Sequence, residues 1–146
     1  MRIDFSIDIQ RPPAEVFAYL TDINKLPEWQ SGVAEARWEG QGGPAAGARA
    51  KQVRHFRGRQ TEAELQVTAY EPDRRFALDT LSGPVSLSLD CTLEPKNGGT
   101  RLLVAGEAEA AGIAKVAGPM IGRKIEKQFK GDFETLKRNV EAAGAR

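Results

Sequence analysis

The sequence predicts an α+β fold in which a curved, seven-stranded antiparallel sheet wraps around one long C-terminal helix. The first observation is an apolar stripe in the last third of the chain, with steps of three or four residues. The second is the alternation of apolar and polar residues upstream, which is typical of half-buried strands. Strands with one apolar face need a covering layer, and this helix is the only long candidate. The stripe comprises Ile113, Ala117, Ile121, Ile125, Phe129, Phe133, Leu136 and Val140.

The composition fits a single globular domain spanning residues 1–146. Apolar residues make up 40% and charged residues 28% of the chain, and the net charge of +1 favours neither nucleic acid nor an acidic membrane. Cys91 is the only cysteine, so an internal disulfide is impossible, which suits a reducing compartment. No apolar run resembles a signal peptide or a membrane span. We therefore expect a cytoplasmic protein without nucleic-acid partners or integral membrane association.

The first part of the chain predicts one strand, two short helices and a second strand. Residues 3–9 alternate strictly, and Pro12-Pro13 ends this strand. Residues 16–20 carry the apolar face of a short helix, and a second short helix ends near Pro27. Alternation returns at residues 33–39. The side chains expected on the inner face of that strand are Ala34, Ala36 and Trp38.

Three short turns predict the register of the next four strands. They lie at Gly58-Arg59, Pro72-Asp73 and Gly83-Pro84. All three registers place apolar side chains on one common face, and a slip of one residue would expose all of them. The predicted pairs are Gln52–Leu65 and Arg54–Ala63 across the first turn, Val67–Leu78 and Ala69–Phe76 across the second, and Leu78–Leu89 and Phe76–Cys91 across the third. A last strand offers Leu102, Val104, Gly106 and Ala108 inward.

The inner face of the predicted sheet contains many small residues, which leave room beneath the helix. They are Ala48, Ala50, Ala63, Ala69, Gly106 and Ala108. We therefore expect a cavity between the sheet and the first half of the long helix. The candidate ligand-binding residues are Gln52, Arg54, Phe56, Leu65, Val67, Phe76, Leu78, Thr80, Leu87, Leu89, Met120, Ile121 and Lys124.

Arg54 is the most informative polar residue on this inner face. A guanidinium keeps its proton when buried, so it needs a hydrogen-bond acceptor. Gln52 and Thr80 offer only neutral oxygens, and the neighbouring strand places no acidic residue inward. We therefore expect Arg54 to anchor a ligand carboxylate, phenolate or enolate. The alternative is that its head extends past the strand end into water.

Other chemical motifs are absent or have structural interpretations. One histidine and one cysteine make no zinc site, and the loop 40–44 lacks the Gly-Lys-Ser/Thr of a phosphate loop, so we expect no metal and no cofactor. Cys91 is expected to be a buried packing residue, and His55 an outward surface residue. Trp29 is expected to fill the core beneath the short helices.

Four local motifs carry a resemblance to a known family. They are residues 12–17 (PPAEVF), 26–29 (LPEW), 70–76 (YEPDRRF) and 98–102 (GGTRL). With the order of elements, they make the chain resemble the helix-grip superfamily shared by START domains and the birch-pollen allergen. Within it the chain looks like the polyketide cyclase/dehydrase and lipid-transport family. The resemblance implies the helix-grip fold and a ligand cavity, and it implies little about the ligand.

Three classes of function are compatible with these observations. The first is a carrier or sensor that binds a small hydrophobic or amphipathic molecule of lipid, polyketide or aromatic type. The second is a cyclase or dehydratase acting on a polyketide-like ligand, although no inward acid–base pair is visible in the sequence. The third is a protein–protein adaptor, which an exposed apolar patch would favour.

Overall fold

The computed structural model describes residues 2–41, 43–56, 58–83, 85–110 and 118–144. The predicted fold class and order of elements are confirmed. The elements are β1 (Arg2–Ile9), α1 (Pro13–Leu20), a 3₁₀ turn (Ile23–Lys25), α2 (Leu26–Trp29), β2 (Val33–Trp38), β3 (Arg49–Phe56), β4 (Arg59–Glu71), β5 (Arg75–Ser82), β6 (Val85–Lys96), β7 (Gly99–Ala110) and α3 (Gly118–Gly144). Ile113 and Ala117 of the predicted stripe lie outside the described residues. Of the helices that the structure describes, none has the length and apolar character needed to cross a bilayer.

The seven strands form one antiparallel sheet in the order β1-β7-β6-β5-β4-β3-β2. Five consecutive hairpins join β2 to β7, and β1 returns to pair with β7. The inner positions of β7 are as predicted, because Leu102, Val104 and Ala108 are all buried. Buried apolar side chains from the strands and from the helices form one continuous core.

The register of β3 on β4 differs from the prediction by two residues. Arg54 lies opposite Thr61, and Gln52 lies opposite Ala63. The reason is the position of the turn, which lies between Phe56 and Arg59, one residue earlier than predicted. An even shift leaves each side chain on its original face of the sheet. The predicted inner face is therefore correct although the predicted partners are wrong.

A bulge changes the predicted pairing of β4 with β5. Val67 lies opposite Leu78 as predicted, but a register shift between Val67 and Ala69 then sets Ala69 against Ala77. The predicted pair of Ala69 with Phe76 is therefore wrong. On the other side of β5, Leu78–Leu89 and Phe76–Cys91 pair as predicted.

A second bulge alters the inner face of β2. The register shifts between Val33 and Glu35, so that Val33 and Ala36 are buried while Ala34 is exposed. The prediction of Ala34 as an inner residue is therefore wrong, because one extra residue reverses the alternation on that side of the bulge.

The C-terminal half of α3 packs firmly against the sheet and α2. Phe133 is 1% exposed, and its ring lies 5.6 Å from the ring of Phe5 and 5.1 Å from that of Trp29. Leu136 and Val140 are also buried, one and two turns further along the stripe. This half of the helix is permanent core, as the periodicity predicts.

Polar contacts also hold α3 in place. Lys137 Nζ donates to the carbonyl oxygen of Asp8 at 2.7 Å, which ties the helix to the end of β1. Asn139 Nδ2 donates to the hydroxyl oxygen of Tyr19 at 3.0 Å, and that hydroxyl donates to Glu28. Burial raises the pKa of the Tyr19 phenol to about 12, so it remains a donor at neutral pH. The position of α3 over the sheet is thereby fixed from both sides.

Candidate functional site

A cavity of about 190 Å³ lies between the inner face of the sheet and α3. It forms where the sheet carries small side chains, because Ala63 and Ala108 reach only a short distance toward the helix. Its wall is mostly apolar, and one end is polar. The apolar wall comprises Leu26, Trp29, Ala63, Leu65, Leu78, Leu87, Leu89, Ala108, Ile125, Phe129 and Phe133.

Seven of the predicted ligand-binding residues line the cavity. They come from four neighbouring strands and share the inner face of the sheet. They are Gln52, Arg54, Leu65, Leu78, Thr80, Leu87 and Leu89. Thr80 also accepts a hydrogen bond from the Leu87 backbone N–H at 3.3 Å, which links β5 to β6 beside the cavity.

Val67 and Phe76 do not line the cavity, which corrects the prediction for both. They are almost fully buried. The Phe76 ring packs edge to face against Phe17 and Tyr70, at centroid distances of 6.4 and 6.2 Å. Helix α1 thus packs against the sheet at Phe76 through Phe17.

Lys124 does not line the cavity either, and its side chain is exposed. Ile125 and Phe129 carry the cavity-facing stripe of α3, and the preceding residue is turned about 100° away from it on a helix. The side chains of Phe56, Met120 and Ile121 lie outside the described part of the structure.

Two polar residues of α3 line the cavity, and the sequence analysis missed both. Gln128 and Asp132 lie on the helix face that also carries Ile125, Phe129 and Leu136. The signal was present in the spacing, because Asp132 follows Phe129 by three residues and precedes Leu136 by four. A polar residue at such a position of an apolar stripe lies on the packed side of the helix, as partly buried Asp132 does.

Arg54 lies at the polar end of the cavity, with its guanidinium partly buried. Its Nε donates to Gln52 Oε1 at 2.9 Å, and one terminal nitrogen reaches Gln30 Oε1 at 3.5 Å. These contacts use two of the five N–H groups of an arginine, and the described residues supply no further acceptor. Burial lowers the pKa of Arg54, and the charge of Asp132 acts in the opposite direction.

Asp132 lies at the same end of the cavity on the helix side. Its Oδ1 accepts hydrogen bonds from the Ser31 backbone N–H at 3.1 Å and from the Ser31 hydroxyl at 2.8 Å. Gln128 Nε2 donates to the same hydroxyl oxygen at 3.1 Å, which holds the loop to the helix. Burial raises the pKa of Asp132, while the bonds from Ser31 and the charge of Arg54 oppose this shift.

Both charged groups border one short loop, residues 30–32. Gln30 contacts Arg54 and Ser31 holds Asp132, and a Cβ on Gly32 would lie 3.9 Å from a terminal nitrogen of Arg54. The two charges interact across the cavity without forming an ion pair. This arrangement leaves the second carboxylate oxygen of Asp132 without a hydrogen-bond donor among the described residues.

Trp29, at the edge of this loop, has a buried polar atom without a partner. Its indole Nε1 is buried and has no hydrogen-bond partner within the described part of the chain. The ring is 3% exposed and stacks at a tilt on Phe133. The predicted role as core filler holds, and the same ring also forms part of the cavity wall.

The remaining reactive side chains lie outside the cavity lining. Cys91 is fully buried opposite Phe76, and burial raises the pKa of its thiol far above the ordinary value. His55 is exposed. Over the described ranges, no group of three or more His, Cys, Asp or Glu side chains is arranged to hold a metal ion.

Comparison with solved structures shows the same fold in proteins of low sequence identity. The Thermus thermophilus protein TTHA0849 matches with a TM-score of 0.82 at 15% identity, over 98% of this chain and 99% of that one. The ZhuI aromatase/cyclase of Streptomyces sp. R1128 matches with a TM-score of 0.77 at 15% identity, over 97% and 93% of the two chains. Ara h 8.0201 matches with a TM-score of 0.76 at 18% identity, over 97% and 98%.

The sequence itself matches no curated protein significantly. It does match a family model, described as polyketide cyclase/dehydrase and lipid transport, over residues 1–141. That match spans nearly the whole chain, and the helix-grip fold of the structural relatives agrees with it. The chain therefore belongs to the polyketide cyclase/dehydrase and lipid transport family.

Proposed function

We propose that this protein binds a small hydrophobic or amphipathic molecule between the sheet and α3, as a carrier or sensor. The observation that carries the proposal is a cavity with an apolar wall and one polar end. Its volume of about 190 Å³ exceeds the roughly 150 Å³ of an engineered cavity that binds benzene. An aromatic body would lie against Leu87, Leu89 and Phe129, with its polar end toward Arg54.

The family supports a ligand of lipid, polyketide or aromatic type. Its description includes both polyketide cyclisation and lipid transport, and one structural relative is an aromatase/cyclase. The wall contributes three aromatic rings, those of Trp29, Phe129 and Phe133, against which a planar ligand would stack.

Titration calorimetry with 2-naphthol tests this proposal. The Leu87→Trp variant fills the cavity from β6 and should weaken 2-naphthol binding by tenfold or more. The matched control is Leu103→Trp, because Leu103 is on the outer face of the adjacent strand and 37% exposed. This control should bind as the wild type does.

Two results would overturn the proposal. One is a wild-type protein that binds none of 2-naphthol, 2-naphthoate and 1-dodecanol. The other is equal affinity of the wild type and Leu87→Trp, which would locate any binding elsewhere. Melting temperatures of all variants, measured without ligand, separate lost binding from lost folding.

A second candidate function is a cyclase or dehydratase, which the presence of Arg54 and Asp132 at one end of the cavity favours. Asp132 would take the α-proton of a β-hydroxyketone while Arg54 donates hydrogen bonds to the enolate oxygen. The β-hydroxide would then leave as water, with the proton returned by Asp132. Mass spectrometry of a β-hydroxyketone thioester incubated with wild type and Asp132→Asn tests this. A dehydrated product with the wild type alone supports the activity, and no product above the buffer control refutes it.

The adaptor hypothesis receives no support from the described surface. The exposed large apolar residues there are Leu81 and Leu103. They belong to β5 and β7, which β6 separates, so they form no contiguous patch.

A further inference from the structure

Arg54 and Asp132 lie at the polar end of the cavity, and each has hydrogen-bonding capacity that no described residue uses. Arg54 has N–H groups without an acceptor among the described residues, and Asp132 has a carboxylate oxygen without a donor. Both groups line the same cavity. A ligand group between them would therefore meet donors on one side and an acceptor on the other.

The loop at residues 30–32 contacts both groups, which form no ion pair with each other. Ser31 binds Asp132 through two hydrogen bonds, and Gln30 and Gly32 approach the Arg54 guanidinium. Gln52 holds the guanidinium from the sheet side at 2.9 Å. The two side chains are thus anchored by different partners, and both line the cavity.

The negative charge of Asp132 offsets the positive charge of Arg54, which affects the kind of ligand group that the site would bind. A ligand carboxylate near Arg54 would also approach Asp132, and in a partly buried site like charges repel strongly. A neutral hydroxyl group avoids this repulsion. It can bind both residues, since it accepts a hydrogen bond from the guanidinium and donates one to the carboxylate. Arginine alone predicts an anionic ligand, and Asp132 reverses that expectation.

We infer that the polar end of the ligand is an uncharged group that both accepts and donates a hydrogen bond, such as a phenol, an enol or an alcohol. This inference rests on the proposed function, because it specifies the ligand of the same cavity. Asp132 thereby acts as a specificity-determining residue that excludes carboxylates.

The test compares two probes of nearly equal shape, 2-naphthol and 2-naphthoate, at neutral pH by titration calorimetry. The wild type should bind 2-naphthol at least tenfold more tightly. Asp132→Asn should strengthen 2-naphthoate binding by tenfold or more, since the amide oxygen still accepts from Ser31 while the charge is gone. The control Glu134→Gln removes one negative charge from an exposed position of the same helix and should leave the preference unchanged.

The outcomes separate this inference from the proposed function. Binding of neither naphthalene probe by the wild type would overturn this inference, and the failure of 1-dodecanol to bind as well would overturn the proposed function. Binding of 2-naphthoate as tightly as 2-naphthol, with Leu87→Trp abolishing both, would leave the ligand cavity standing and overturn the selection of a neutral group. Unchanged selectivity in a folded Asp132→Asn variant would likewise refute the role of that carboxylate.

Discussion

Phe133 and Phe129 lie one helical turn apart on α3, and the structure assigns them different energetic roles. Phe133 is 1% exposed and in ring contact with Phe5, Trp29 and Phe129. Truncation to alanine would remove about 150 Å² of buried apolar surface, worth roughly 4 kcal/mol at 25 cal/mol/Å². We expect Phe133→Ala to lower the free energy of unfolding by about 3–5 kcal/mol, the usual range for a core phenylalanine. For a chain of this length the melting temperature should fall by roughly 6 to 20 °C.

The matched comparison is Phe129→Ala. Phe129 is only partly buried, and one of its faces borders the cavity, so we expect a loss of about 1–2 kcal/mol. The Phe129→Ala variant should nevertheless bind 2-naphthol more weakly than the wild type, because the Phe129 ring forms part of the cavity wall. Urea unfolding followed by circular dichroism measures both variants, with unchanged m values as the check on two-state behaviour. An equal or larger loss for Phe129→Ala, or a loss below about 1.5 kcal/mol for Phe133→Ala, would refute this division of the helix.

Three further predictions follow from individual residues. The pKa of Asp132 is raised by burial, so its charge destabilises the folded protein at neutral pH, and this effect disappears as the pH falls toward the ordinary value of 3.8. Asp132→Asn should therefore melt higher than the wild type at pH 7, with a difference that shrinks at acid pH; a constant difference would contradict the assignment. Cys91 should react with a disulfide reagent only after urea unfolding, because the thiol is buried and its pKa is raised; labelling of the native protein at the rate of free cysteine would count against this. Gly131→Ala should stabilise α3 by up to about 1 kcal/mol. Gly99→Ala should destabilise the folded protein, because a Cβ at position 99 would lie 2.5 Å from the Ile9 carbonyl oxygen. A lower melting temperature for Gly131→Ala than for Gly99→Ala would refute both expectations.

The sequence predicted the faces of the strands better than their partners. Alternation with period two identifies which side of a strand is inner, and this information survives an even shift such as that of β3 on β4. The position of the turn was ambiguous, because Gly58 serves equally in a turn that begins one residue earlier. The bulges after Val67 and Val33 each add one residue to a strand, and the local composition does not predict either of them.

The candidate site was predicted on the sheet side and missed on the helix side. Arg54 was identified because its inner position follows from the alternation alone. Asp132 was overlooked because an acidic residue within a charged amphipathic helix is ordinarily assigned to the wet face. Its spacing from Phe129 and Leu136 places it on the apolar face of the helix, where the loop after α2 presents Ser31 to it.

The charged side chains at the polar end of the cavity have hydrogen-bonding atoms without a partner among the described residues. Several charged side chains on the surface are paired more fully. On the surface, Asp8 accepts from both Lys96 and Arg101, and Arg75 makes two hydrogen bonds with Asp90. Partial burial makes unpaired charges more costly inside the cavity than outside, so a site selected for stability alone would pair its charges or replace them by apolar residues. Arg54 and Asp132 are instead held apart by separate neutral partners. Charged groups held apart in a cleft are typical of functional sites, and a ligand hydroxyl that reached both groups would complete hydrogen bonds that the described residues leave open.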